Sequence, residues 1–137
     1  MSAKEWAVKA VICVSIFAVA SMGVLYALQD KMLYMPDVPI RNILDNPKGY
    51  RSPEERRIRY KKVNLKVFGT DDQINGWQMM QPNPLDSDGV KRPTVLFLHE
   101  NAGNLGLRMD YFSLLYHELG CNVIAFAYRG YSDSSLM

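Results

Sequence analysis

Thr94-Val95-Leu96-Phe97-Leu98-His99-Glu100-Asn101-Ala102-Gly103-Asn104 is the stretch on which the fold turns. Thr94 to Leu98 is continuous and apolar or β-branched, the composition of a strand buried on both faces. Gly103, Asn104 and Gly106 then mark a loop. From Leu107 to Leu119 the period becomes helical, with Met109, Phe112, Tyr116 and Leu119 on one face and Gly120 as the stop. Asn122 to Tyr128 contains Val123, Ile124, Ala125 and Phe126, a second strand of the fully buried kind. Strand, loop, helix and strand at this spacing predict a βαβ unit with parallel strands, hence an α/β fold.

Upstream, Val63, Leu65 and Val67 alternate with Asn64 and Lys66, which predicts a strand with one buried face. Gly69-Thr70-Asp71-Asp72 is a turn, Ile74 to Met80 a second strand, and Pro82, Pro84, Asp86, Asp88 and Gly89 a loop. Tyr34 to Pro53 holds Pro36, Pro39, Pro47, Gly49 and Pro53, which interrupt helix and sheet alike and predict an irregular connector. Glu54 to Lys62 carries Arg56, Arg57, Arg59, Lys61 and Lys62. A solvated charged face suits this cluster better than a patch for anionic lipid, because it begins far beyond the apolar segment described next.

Ala10 to Leu28 is an uncharged run of 19 residues, long enough to cross a hydrocarbon core. Lys9 can snorkel at one end, Asp30 and Lys31 close the other, and Trp6 and Tyr26 suit the two interfaces. A cleaved signal is the rival, with Lys4 and Lys9 as its basic start and Ala18-Val19-Ala20 as its cleavage site, but the apolar run continues past Ala20. A buried core helix is the third reading. A single-pass membrane protein of the endomembrane system or the plasma membrane is therefore expected, with the lipid bilayer as its partner through Ala10–Leu28. Lys4 and Lys9 before the run are nearly balanced by Lys31 and Arg41 after it, so charge leaves the orientation open. The expected organisation is an anchor at 1–30, a connector at 31–61 and part of an α/β domain at 62–137.

Composition narrows the rest. Of 137 residues, 48% are hydrophobic and 22% charged, which excludes a disordered or collagen-like chain. A net charge of +2 supplies no field for nucleic acid, and none is expected as a partner. Cys13 and Cys121 make no disulfide framework, no Cys/His spacing makes a zinc site, and no cofactor is expected. Asp71, Asp72, Asp86 and Asp88 read as turn carboxylates, His117 as a surface or half-buried residue, and Met79 and Met80 as core fillers.

Leu96 to Asn104 resembles the third-strand signature of α/β hydrolases, and Tyr128-Arg129-Gly130-Tyr131-Ser132 resembles their fourth-strand signature, whose common form is Asp-Tyr-Arg-Gly-Tyr-Gly. Together with the apolar N-terminal run and the Leu28 to Pro36 stretch, the chain resembles the N-terminal half of the membrane-anchored Bem-like family, which includes plant wavy-growth-type proteins. The resemblance implies an N-terminal transmembrane helix followed by an incomplete hydrolase sheet of four strands and one main helix. The spatial order would be first, second, fourth, third. It also implies an oxyanion loop with its donor at Asn101 or a neighbour, Ala102 or Gly103, with Gly103 bending the backbone close to substrate. His99 and Asn104 would support that loop. Glu100 stands where glycine is usual, and its side chain is expected to face away from the developing charge.

Hydrolysis in such a fold needs a nucleophile on a Gly-x-Ser-x-Gly turn, then an acid, then a histidine. Only nine residues follow Tyr128, and His99 and His117 both precede the expected nucleophile. Gly130-Tyr131-Ser132-Asp133-Ser134 imitates the elbow, but no histidine follows it. No catalytic residue is therefore expected in this chain. It reads as an inactive portion of an ester or thioester hydrolase or, alternatively, as a non-catalytic membrane-anchored binding or regulatory protein. Without a fifth strand, Thr94–Leu98 would have a bare edge open to self-association.

Overall fold

The computed structural model describes residues 2–135, so Met1, Leu136 and Met137 lie outside the described residues. The chain divides into two units, Met1–Tyr34 and Met35–Met137. The first is one helix, α1, Ala3–Leu33. A capping box starts it: the Ser2 hydroxyl accepts from the Glu5 N–H at 3.3 Å, and the Glu5 carboxylate accepts from the Ser2 N–H at 3.0 Å. None of its residues is buried, and it is long and apolar enough to cross a membrane.

The second unit holds β1 (Tyr60–Lys66), β2 (Gln73–Met79), β3 (Thr94–Leu98) and β4 (Asn122–Phe126) in the spatial order β1-β2-β4-β3. β1 and β2 form an antiparallel hairpin, β2 runs antiparallel to β4, and β3 runs parallel to β4. Gly76 lets β2 and β4 approach, because a Cβ there would sit on the Ala125 carbonyl and the Phe126 ring.

The crossover between β3 and β4 has three turn types. A 3-10 turn at Leu105–Arg108 leads into α2, Met109–Ser113, and then into a π-helical turn at Leu114–Glu118. Met109, Phe112 and Tyr116 are buried as the helical period predicts. Leu119 is not. In the π turn the Leu119 N–H reaches back five residues to the Leu114 carbonyl at 3.1 Å, so the extra residue rotates Leu119 off the buried face.

One face of the sheet carries Trp77, Met79, Val123 and Ala125 against this crossover, all buried. Phe112 stands edge-on to Phe97 at 5.0 Å and to Trp77 at 6.2 Å. The opposite face corrects two sequence expectations. β3 is not buried on both faces, since Leu96 and Leu98 are 59% and 61% exposed. β1 has no buried face of its own, since Leu65 is exposed and Val63 only half-buried. Both are outer strands, and nothing among the described residues packs over the face that Leu65, Leu96 and Leu98 share.

Residues 35–59 are irregular, as their prolines require, but not loose. Two 3-10 turns, Ile43–Asp45 and Pro53–Arg56, bring Asn46, Pro53 and Ile58 into full burial. The Glu55 carboxylate accepts from the Arg51 N–H at 3.1 Å and the Gly49 N–H at 2.6 Å, bonds that hold its pKa below the usual carboxylate value, the Arg51 bond foremost. Arg56 lies over the Tyr50 ring and pairs with Asp110 at 2.9 Å, leaving Arg57, Arg59, Lys61 and Lys62 as the solvated charges of that cluster.

Candidate functional site

The C-terminal ends of β3 and β4 lie side by side, as parallel pairing dictates, and two segments leave them: 99–104 from β3 and 127–135 from β4. Open α/β sheets place their sites at this end. His99 joins the two segments. It is 5% exposed, its Nε2 accepts from the Tyr128 N–H at 3.2 Å, and its Nδ1 lies 2.6 Å from the Glu100 carbonyl. An Nε2 that accepts carries no proton, so the proton is on Nδ1 and donates to Glu100. The ring packs on Tyr128 and Tyr131 at 4.4 and 4.9 Å. Burial, the largest influence, holds the His99 pKa below its ordinary value, so the imidazole stays neutral. Both ring nitrogens are engaged, so His99 ties the two segments together.

Asn101, Ala102 and Gly103 form a parallel bridge with Met35. The Met35 N–H donates to the Asn101 carbonyl at 2.9 Å, and the Gly103 N–H donates to the Met35 carbonyl at 3.2 Å. The Tyr131 hydroxyl donates to the same Asn101 carbonyl at 2.8 Å, and Arg108 Nη2 to the Ala102 carbonyl at 2.6 Å. Gly103 has φ +71, and a Cβ there would lie 2.7 Å from the Leu107 side chain and 3.3 Å from the Val38 carbonyl. Packing against its own chain is thus reason enough for a glycine here. Among the described residues, no hydrogen bond takes up the half-buried Ala102 N–H.

Asn104 is wholly buried and fully satisfied. It and Asn46 exchange side-chain amide bonds, both at 2.8 Å; Asn46 also donates to the Tyr50 carbonyl and Asn104 to the Ile40 carbonyl. Its Oδ1 receives the Leu107 N–H at 3.3 Å, capping the 3-10 turn. Gly106 completes the fit, since a Cβ there would strike the Tyr50 carbonyl. The Glu100 carboxylate lies 2.5 Å from Nε of Arg108, the same guanidinium that donates to the Ala102 carbonyl.

The elbow imitation at 130–134 is a set of structural ties. Ser132 has φ +52, a conformation natural to the glycine of the family signature. Its Oγ accepts from the Leu105 N–H at 2.8 Å. Ser134 donates to the Ala127 carbonyl and accepts from the Asn75 N–H, while Ser135 Oγ accepts from the Gln73 N–H at 2.7 Å. The serine-rich turn therefore fastens the end of β4 onto the start of β2. His117 is engaged with the Arg56 carbonyl at 3.0 Å. Among the described residues no cluster of His, Cys, Asp and Glu could hold a metal ion.

Most of the chain is similar in sequence to three known proteins. The chain is 31% identical over 117 residues to protein bem46 of Schizosaccharomyces pombe. It is 31% identical over 118 residues to the α/β hydrolase domain-containing protein WAV2 of Arabidopsis thaliana. An uncharacterised membrane protein of Saccharomyces cerevisiae is 29% identical over 115 residues. The matches cover 83–85% of this chain. Over most of its length the chain is similar to these Bem46- and WAV2-type proteins of the α/β hydrolase fold. It spans about a third of the length of these relatives, 34–36%. No protein-family profile and no solved structure matches it.

Sequence reasoning singled out His99, Asn101, Ala102, Gly103 and Asn104, which lie together on the segment leaving β3. It missed their partners. Met35 and Asn46 lie more than fifty residues upstream in a segment without periodicity, and Ser134 looked like part of a decoy. The one available signal for Tyr131 was its aromatic place inside the fourth-strand signature.

Proposed function

We propose that this stretch is the oxyanion-side scaffold of a membrane-anchored acyl hydrolase of the ester or thioester class, with Ala102 N–H as the oxyanion donor. The observation that carries this is the asymmetry of neighbouring amides: the Gly103 N–H is taken by Met35, whereas the Ala102 N–H has no partner among the described residues. A donor held by a braced backbone requires little reorganisation when charge develops, which is the condition for oxyanion stabilisation. Residues 1–30 serve as the single-pass anchor and 62–137 as the hydrolase-domain portion, with 31–61 as the connector.

The chain as given hydrolyses nothing by the serine route. Ser132 lacks a base, because both nitrogens of His99 are bonded within the brace and His117 is bonded to Arg56 on the helical crossover. The test is a fluorophosphonate probe and a fluorogenic ester applied to the full chain, with neither labelling nor turnover expected. Stoichiometric labelling of Ser132 overturns this. The donor is tested in a chimera whose remaining two thirds come from WAV2. There Ala102→Pro, which removes the N–H, lowers probe labelling by about a hundredfold; unchanged labelling refutes Ala102. We also read the bare edge of Thr94–Leu98 as a contact between copies of the chain.

A further inference from the structure

The bridge between Met35 and Ala102 does more than shape a loop, because Met35 is only two residues beyond the end of α1 at Leu33. Two residues reach about 7 Å at most. α1 has 31 residues, and a helix of that length measures about 46 Å, close to the ~40–45 Å of a bilayer with its headgroup layers. Whichever way α1 is oriented, its C-terminal end falls at a headgroup surface, and Met35 cannot lie far from it. The Met35 hydrogen bonds carry the loop with them, since the Asn101 carbonyl and Gly103 N–H are bound directly to the Met35 backbone.

The side chains around this tether suit that depth. Met35, Val38 and Leu44 are 37%, 54% and 68% exposed. They belong to the same compact unit as the loop, and Val38 lies against it: its carbonyl would be 3.3 Å from a Cβ on Gly103. In the preceding residues Met32, Leu33 and Tyr34 are exposed as well, after the charged pair Asp30 and Lys31. Apolar and tyrosine side chains in that order belong to the boundary between headgroup and acyl chain. Water is an unfavourable neighbour for so many large apolar groups in one short stretch.

We propose that the face formed by Met35, Val38 and loop 99–104, with exposed Leu44 farther along the same segment, docks on the headgroup layer of the bilayer that α1 anchors. The Ala102 N–H therefore meets its acyl carbonyl at the membrane surface, the depth at which the ester carbonyls of lipids lie. The proposal rests on α1 spanning the membrane, and it goes beyond that reading by assigning a contact to the folded unit itself.

The test uses the full chain in vesicles of phosphatidylcholine and phosphatidylserine containing nitroxide-headgroup lipid. Bimane is placed by Val38→Cys, Leu44→Cys or, at the opposite end of the sheet, Asp88→Cys, in a Cys13→Ala, Cys121→Ala background. Quenching several-fold stronger at 38 and 44 than at 88 is expected. Equal quenching at all three sites, in protein that stays with the vesicles after alkaline carbonate, overturns the docking and leaves the anchor intact. Release by carbonate refutes the anchor and with it the docking. A circular dichroism spectrum of each labelled variant matching the parent confirms that the label reports on folded protein.

Discussion

The two faces of the sheet are built from similar residues and end differently. Trp77, Met79, Val123 and Ala125 point at the helical crossover and are buried, whereas Leu65, Leu96 and Leu98, one residue out of phase on neighbouring strands, stay open. Residue type does not distinguish Val95 from Leu96; only the presence of a covering layer does. A strand's sequence reports what it can tolerate as neighbours, and the fold decides whether those neighbours arrive.

The contrast is broken most severely from the covered side. Phe112→Ala removes the ring that Phe97 and Trp77 both contact, and should cost about 3–5 kcal/mol. A chemical melt of the full chain in detergent reads this as a lower midpoint. Asn104→Ala comes next, at about 1–3 kcal/mol, because it leaves the buried Asn46 amide without its partner. The double variant Asn46→Ala, Asn104→Ala should cost less than the sum of the single changes, a coupling that a double-mutant cycle reads directly.

A smaller effect follows from His99. Its pKa is lowered in the folded protein, so the unfolded chain binds more protons as pH falls below its ordinary value of 6.5. The brace's contribution is fully present above pH 6.5 and is lost as pH falls through the lower folded value. His99→Gln should flatten that part of the stability–pH curve; an unchanged curve would show that the imidazole does not titrate with folding. The smallest effect on stability belongs to the bare face. Leu96→Lys should shift stability by no more than about 0.5 kcal/mol while lowering self-association in sedimentation. Phe97→Lys is no substitute for it, because Phe97 packs on Phe112 in the core.

The βαβ unit and the helix at the N-terminus were legible because each depends on periodicity within a short window, whereas the strand order came only with the family resemblance. The exposed face of β3 was not, since Thr94–Leu98 has the same composition whether one side is covered or two. Leu119 escaped because a π turn breaks the 3.6-residue period without any glycine or proline to announce it. In the candidate site the loop and its local supports His99 and Asn104 could be read, and the distant partners of those residues could not. Asn46 and Met35 act through contacts more than fifty residues distant in sequence, and an asparagine beside Pro47 looks like any turn residue until Asn104 is placed opposite it.

Loop 99–104 is held by the Met35 bridge and the His99 contacts, while the Ala102 amide is left open. Residue-resolved amide hydrogen exchange on the full chain in micelles tests it most directly. The Gly103, Leu105 and Tyr128 N–H groups, bound to the Met35 carbonyl, Ser132 Oγ and His99 Nε2, should exchange nearly as slowly as β4, while Ala102 between its neighbours exchanges fast. Rapid exchange at Gly103, Leu105 and Tyr128 together, or strong protection at Ala102, would contradict the account.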